Sequence, residues 1–237
     1  KTGLRKPTSR PLNITKKRGY LKNHKSRDNN NNYNNMKKEN LVLMRMARES
    51  LKEKWGLAIG TYVVYMLIIG AIQATTEFFP LAGLLSLIIS GPMAVGIAVF
   101  SINISRNQDA KLEQIFQGFN NFGTSTGAYL LMILFILLWS LLLIIPGIIA
   151  ALSYSMTFYI IADDNSIGAM EAINKSKKMM DGYKWKYFCL GLRFIGWSLL
   201  CILTLGIGFL WLLPYMQVSV VKFYDDIKEN HIMPKTV

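Results

Sequence analysis

The chain has 237 residues, 51% of them hydrophobic and only 17% charged, with a formal net charge of +13. Soluble domains carry about a quarter charged residues, so this composition excludes an ordinary water-soluble fold. The positive charge does not point to nucleic acid either: residues 1–35 hold ten Lys or Arg against one acid, Asp28, while the rest of the chain holds seventeen against thirteen.

Residues 1–35 form a basic, polar segment ending in the run Asn29 to Asn32. With so little apolar surface to bury, it is expected to be disordered. It has no apolar core segment of the kind a signal peptide needs. Met36-Lys37-Lys38 resembles a natural start, which would make the segment an upstream extension from a misassigned start. The alternative is a basic arm lying on anionic headgroups.

Residues 36–56 are amphipathic, with Leu41, Met44, Ala47, Arg48 and Leu51 at helical spacing, and predict a helix in the membrane interface. A six-span membrane domain is expected over 57–221. Its first span is Leu57 to Ala74, Glu77 and Pro80 mark a short loop, and the second span runs from Leu81 to about Ile104, kinked at Pro92. The polar stretch Ser105 to Thr126 carries a small amphipathic helix with Leu112, Ile115, Phe116 and Phe119 on its apolar face, stopped at Gly123.

The apolar run Gly127 to Ala162 decides the topology. As one helix its 36 residues would measure about 54 Å, against a hydrocarbon core of about 30 Å, so the chain is expected to turn at Pro146-Gly147. The run Tyr187 to Val221 is broken by the same reasoning at Thr204-Leu205-Gly206-Ile207-Gly208. Six spans in three hairpins result, with both ends and the tail 222–237 in the cytoplasm. This arrangement puts sixteen of the seventeen Lys or Arg after Met36 on the inner side and none in the outer turns, as the positive-inside rule requires. Pro92, Pro146 and Pro214 each fall in the second helix of a hairpin. Gly118-Phe119 and Gly182-Tyr183 precede two of the hairpins. This gives a possible threefold pattern, although Pro and Gly are common in membrane helices.

Candidate functional residues are few. Arg193 is the one basic residue inside an apolar run, and an intramembrane charge is a functional candidate. It is also placed to snorkel to the inner surface or to meet a lipid headgroup. Glu77 is either a solvated loop residue or a cation or proton site. Gln73 and Asn103 are amides able to bond a neighbouring helix. Asp163-Asp164-Asn165-Ser166 reads as an N-cap cluster for a helix over Ile167 to Met180, or as paired carboxylates. That helix sets Ile167, Met170, Ile173 and Met180 on one face, with Lys175, Lys177 and Lys178 elsewhere, as suits the inner membrane surface. Trp55, Trp185 and Tyr187 mark span entrances, and Gly56 with Gly60 makes a GxxxG match. No phosphate loop, HExxH helix, GxSxG elbow or metal-spaced cysteine pair is present. Cys189 and Cys201 are twelve residues apart, about 18 Å along a helix, beyond disulfide reach.

Several stretches resemble a bacterial membrane family catalogued as domain of unknown function 975, found mostly in Firmicutes. They are Leu137 to Ile148 with its Pro146-Gly147, Ser153 to Met156, Ala162-Asp163, Glu171 to Ile173, Ser176 to Met180, Gly182 to Trp185, Phe194 to Trp197, Thr204 to Gly208 and Pro214-Tyr215. The resemblance covers roughly residues 36–226 and leaves out the basic segment. Arg193 stands where the family would have a small polar residue. The Pro-Gly turn and the Ala-x-x-x-Ser helix also bear a looser similarity to membrane domains of some glycerophosphodiester phosphodiesterases, but no catalytic domain of that kind is present. The resemblance implies a cell-membrane location and no established activity. The expectation is therefore an all-α polytopic protein without catalytic residues, cofactor or metal, with the lipid bilayer and other membrane proteins as partners. It would act as a non-enzymatic scaffold or lipid organiser. The alternative is a small transporter or exporter component using a path near Gln73, Asn103 and Arg193.

Overall fold

A computed structural model describes residues 38–78 and 82–232; the expectations for residues 1–35 and for Pro80 lie outside these. The described residues from Glu39 onward belong to one compact unit, and all its regular elements are helical. They are α1 (Asn40–Leu51), α2 (Trp55–Phe78), α3 (Ala82–Ser105), a 3-10 helix (Leu112–Asn121), α4 (Phe122–Leu142), α5 (Ile144–Tyr154), α6 (Thr157–Asp163), α7 (Ala169–Met179), α8 (Lys184–Leu203) and α9 (Phe209–Ile232).

Five stretches are long and apolar enough to cross a membrane: Trp55–Thr75, Gly83–Ser105, Leu112–Leu142, Ile144–Asp163 and Lys184–Leu203. Gly83–Ser105 and Ile144–Asp163 are central, 56% and 50% buried, whereas the other three are 11% to 17% buried. The outer surfaces of the peripheral helices carry Leu67, Leu137, Leu141, Trp197, Leu199 and Leu203 fully or half exposed. Such a surface is stable against hydrocarbon, not water. The last helix, α9, is 24 residues long but falls outside the five, because Lys222, Asp225, Asp226 and Lys228 occupy its C-terminal half.

The turn between α4 and α5 falls at Leu143, three residues before Pro146. Leu143 is extended (φ −163°, ψ 148°), and Ile144 opens the next helix. Pro146 thus sits in the first turn of α5, where a missing amide hydrogen costs nothing because first-turn amides lack intrahelical partners. Gly147 packs against Ser140 so closely that an added Cβ would lie 2.1 Å from Oγ. The second turn is where the sequence places it. Leu205 (φ 54°) and Gly206 (φ 88°) are left-handed, and the Gly206 amide returns 3.0 Å to the Cys201 carbonyl, closing α8 in a Schellman cap.

Pro92 and Pro214 lie inside helices that continue past them. A proline inside a helix deprives the carbonyl four residues earlier of its donor. For Pro92 that carbonyl is Ile88, and the Thr126 hydroxyl donates to it at 3.1 Å. Around this point α3 meets the 3-10 helix backbone to backbone. A Cβ on Gly96 would fall 1.7 Å from the Ile115 carbonyl oxygen, and one on Gly118 would fall 1.9 Å from that of Pro92. Gly123 stops nothing: α4 already runs from Phe122. On the expected apolar face Ile115 is buried, but Phe116 and Phe119 are exposed. The glycine contact pulls the other side of the segment, with Gln114 and Gly118, inward.

The GxxxG match has no such role within the chain, since a Cβ at Gly56 or Gly60 would meet nothing within 4 Å. Gly118 and Gly182, alike in sequence context, also differ: one is a packing contact, the other a left-handed turn at φ 74°.

Two expected interfacial helices are core elements. In α1, Leu43, Met44, Ala47 and Leu51 are buried, while Leu41 is 56% exposed; the buried side joins clusters with α3, α9 and α2. In α7, Ile173 and Met179 are buried and only Met170 of the expected apolar face is exposed. Both helices spend their apolar faces on protein, which leaves lysines and arginines to face outward. The segment expected as a tail from 222 continues as helix to Ile232.

Candidate functional site

The charged side chains that the bundle gathers lie at the end where α3, α6 and α9 finish. Arg106 follows α3, and its guanidinium donates to both carboxylate oxygens of Asp163, at 2.6 and 3.0 Å, and to Asp225 at 2.7 Å. Lys228 donates to Asp163 at 2.5 Å, and the Tyr224 hydroxyl donates to it at 3.0 Å. The Asp163 side chain is 11% exposed, so three donors surround one nearly buried carboxylate. A bidentate Arg–carboxylate pair is among the stronger charge-assisted contacts. The Asp163 hydrogen bond, opposed in part by burial, holds the Arg106 guanidinium above its ordinary pKa. Burial, then the Asp163 charge, pushes the Tyr224 phenol up. Arg106 therefore stays charged and Tyr224 stays a donor.

A second pair lies nearby. Lys186, at the start of α8, meets Asp226 at 2.6 Å with side chains 10% and 3% exposed, and its amino group sits 5.3 Å from the centre of the Phe223 ring. Lys222 donates to the Ser105 carbonyl, as do Ser50 at 3.1 Å and, one turn on, Lys54 to Gln108 at 3.0 Å. Cations at a helix C-terminus satisfy its last carbonyls and oppose its dipole. The polar groups at this end are thus largely engaged with one another, tying α1, α3, α6, α8 and α9 together.

The Asp163-Asp164 cluster does not cap the following helix. The residue before α7 is Gly168, which makes no side-chain cap. Asp163 belongs to the ion network, and Asp164 accepts from the Ser166 amide at 3.0 Å and hydroxyl at 2.6 Å, which lowers its pKa. What α7 does is close a helix break. Between α5 and α6 the Ser153 carbonyl and the Met156 amide lose their helical partners. The buried Ser176 hydroxyl donates to the first at 2.8 Å and accepts from the second at 3.2 Å. A hydroxyl is the one small group able to do both.

The four sequence candidates are not brought together. Ser101 shares a 3.0 Å hydrogen bond with Tyr62, and Gln73 lies eleven residues beyond Tyr62 on the same helix, about 16 Å away along the axis. Asn103 stands two residues from Ser101, half-buried, and its backbone carbonyl caps α3 by accepting from the Gln108 amide at 2.8 Å. Gln73 is exposed, and so is Arg193, on the side of α8 that also carries Leu192 and Ile195. Glu77 falls within α2, and its side chain lies outside the described residues. No group of three His, Cys, Asp or Glu among the described residues is placed to hold a metal ion, and Cys189 and Cys201 are free thiols.

Two cavities complete the picture. One, about 310 Å³, lies between α5, α6, α8 and α9 and is mainly apolar; its polar members Tyr159 and Gln217 bond each other at 2.5 Å. The other, about 530 Å³, is lined by Asn174, Lys177, Lys178, Asp181 and Lys184.

These features define an all-helical protein with several helices suited to a bilayer and a cross-linked polar end. Residues 141–231 match the model of a family described as Protein of unknown function (DUF975), so the family resemblance read from the sequence holds across α5 to α9. No curated protein and no solved structure matches the chain.

Proposed function

We propose that the chain is a six-span protein of the bacterial cytoplasmic membrane, with both ends in the cytoplasm. In this reading it organises lipid or membrane partners through a basic inner face and catalyses no reaction. The observation that carries it is α7: Ala172, Ile173 and Met179 are consumed in the core, while Lys175, Lys177 and Lys178 stay exposed on its outer side. Juxtamembrane lysines attract anionic headgroups at about 1 kcal/mol each.

The sixth span rests on α9. Its apolar run from Phe209 to Val221 has 13 residues, about 20 Å as helix, and Lys222 then meets the end of α3 at Ser105. The two helices therefore finish at one level. The competing transporter reading needs a polar path through Gln73, Asn103 and Arg193, and those residues occupy separate parts of the bundle.

Cysteine accessibility in intact cells tests the topology, in a chain whose native thiols are replaced (Cys189→Ser, Cys201→Ala). Leu143 and Leu205, 65% and 95% exposed, suit the outer turns better than Gly147, which has no room for a Cβ. Cysteines at Leu143 and Leu205 are expected to react with an impermeant reagent from outside, and those at Lys177 and Glu229 only after lysis. Outside labelling at Lys177 would contradict six spans.

A further inference from the structure

The basic cavity runs from α7 onto the first residue of α8, and the apolar groove continues along α8. Asn174, Lys177 and Lys178 follow the i, i+3, i+4 spacing of one face of α7, and Asp181 lies in the turn that follows. Gly182, at φ 74°, then turns the chain so that Lys184 closes the basic bowl. From Lys184 the positions Phe188, Gly191 and Ile195 continue at i+4, i+7 and i+11 on the same side of α8, and these three line the apolar groove. Four residues of helix are about 6 Å, so the groove begins about one turn beyond the bowl. None of the three bowl lysines forms an ion pair among the described residues. Asp181 is the only acid on the lining, giving three positive charges to one negative. The groove is open because Gly191 has no side chain, and a Cβ there would meet nothing within 4 Å. Trp185, 73% exposed beside Lys184, marks the headgroup level.

We infer that the bowl and groove together form a binding site for one anionic phospholipid, its phosphate held by Lys177, Lys178 and Lys184 and one acyl chain lying against Gly191. This rests on the lipid-organising reading and supplies its ligand class. Positive charge at one end and an apolar lining beginning one helical turn away match the layout of such a lipid. A soluble phosphate ester would use only the bowl.

The test is native mass spectrometry of the full chain in detergent, titrated separately with dioleoyl phosphatidylglycerol, dioleoyl phosphatidylcholine and glycerol phosphate. The unaltered chain is expected to bind one phosphatidylglycerol at least tenfold more tightly than phosphatidylcholine. Replacing the three lysines by glutamine is expected to weaken phosphatidylglycerol by roughly a hundredfold. Gly191→Leu, whose Cβ has open space and whose side chain takes up groove volume, is expected to weaken both lipids about tenfold. Both variants change exposed or open positions, and unaltered thermal unfolding checks their fold. Equal affinity for the two lipids, an unaffected triple-lysine variant or an unaffected Gly191→Leu would overturn the site. So would glycerol phosphate competing as well as whole lipid, which would make the bowl a site for free phosphate esters. None of these outcomes bears on the cysteine-accessibility test of topology, so failure of the site and failure of the six-span reading are distinguishable.

Discussion

Replacing Asp163 by Asn is expected to destabilise the folded protein by about 3 kcal/mol or more in denaturant titrations in mixed micelles. The side chain is 11% exposed and accepts from Arg106, Lys228 and Tyr224. Removing one partner of a buried ion pair costs roughly 3–5 kcal/mol because the remaining charge is left uncompensated. Asp225 stays beside Arg106 at 2.7 Å, which argues for the lower part of that range. The network joins α3, α6 and α9, so loss of cooperativity should accompany loss of stability. The exposed pair of Lys111 with Asp109, 64% and 78% exposed, supplies the control: Asp109→Asn should leave the unfolding midpoint unchanged. Equal behaviour of the two variants would mean that the Asp163 network does not hold the bundle.

Gly96→Ala is expected to have the second large effect, at least about 3 kcal/mol or failure to fold. The added Cβ would stand 1.7 Å from the Ile115 carbonyl oxygen, and in Gly118→Ala it would stand 1.9 Å from the Pro92 carbonyl oxygen. Both obstacles are backbone atoms, which no rotamer change can move aside. Helix interfaces in membranes rely on such small residues because lipid offers no hydrophobic drive for helices to pack. Gly60→Ala, with nothing within 4 Å, should be neutral in the same assay. Wild-type stability for Gly96→Ala would show that α3 and the 3-10 helix do not approach so closely.

The sequence announces what lipid solvent demands and little of what folding brings together at a distance. All-round apolar runs reveal the five helices that are long and apolar enough to cross a membrane among the described residues. The Thr204 to Gly208 break is legible because a left-handed residue was needed and Gly206 is present. The turn at Leu143 is not legible. Proline is tolerated in the first turn of a helix, so Pro146 marks where the next helix begins, and the extended residue before it carries no signal. The ion network is also silent. Arg106 is 57 residues from Asp163 and 119 from Asp225, and each has a satisfactory local explanation, a positive-inside loop or a helix cap. Arg193 drew attention because it interrupts an apolar run, yet the charges that engage each other are those at the helix ends. Ser176 opens a stretch that resembles the family, and nothing local marks it as a buried polar residue. Its role, a hydroxyl bonding both sides of a helix break, needs the three-dimensional arrangement of Ser153 and Met156.

We propose that the described helices form a closed bundle, its charged groups tied together at one end, with no water path between them. Ser101 and Ser219 lie inside it, 1% and 0% exposed, and cysteine differs from serine by one atom. With the native thiols replaced, Ser101→Cys and Ser219→Cys are expected to resist a water-soluble thiol reagent from either side of the membrane and to react only after denaturation. Labelling of either position in the folded protein would contradict the closed bundle and favour a hydrated transport path.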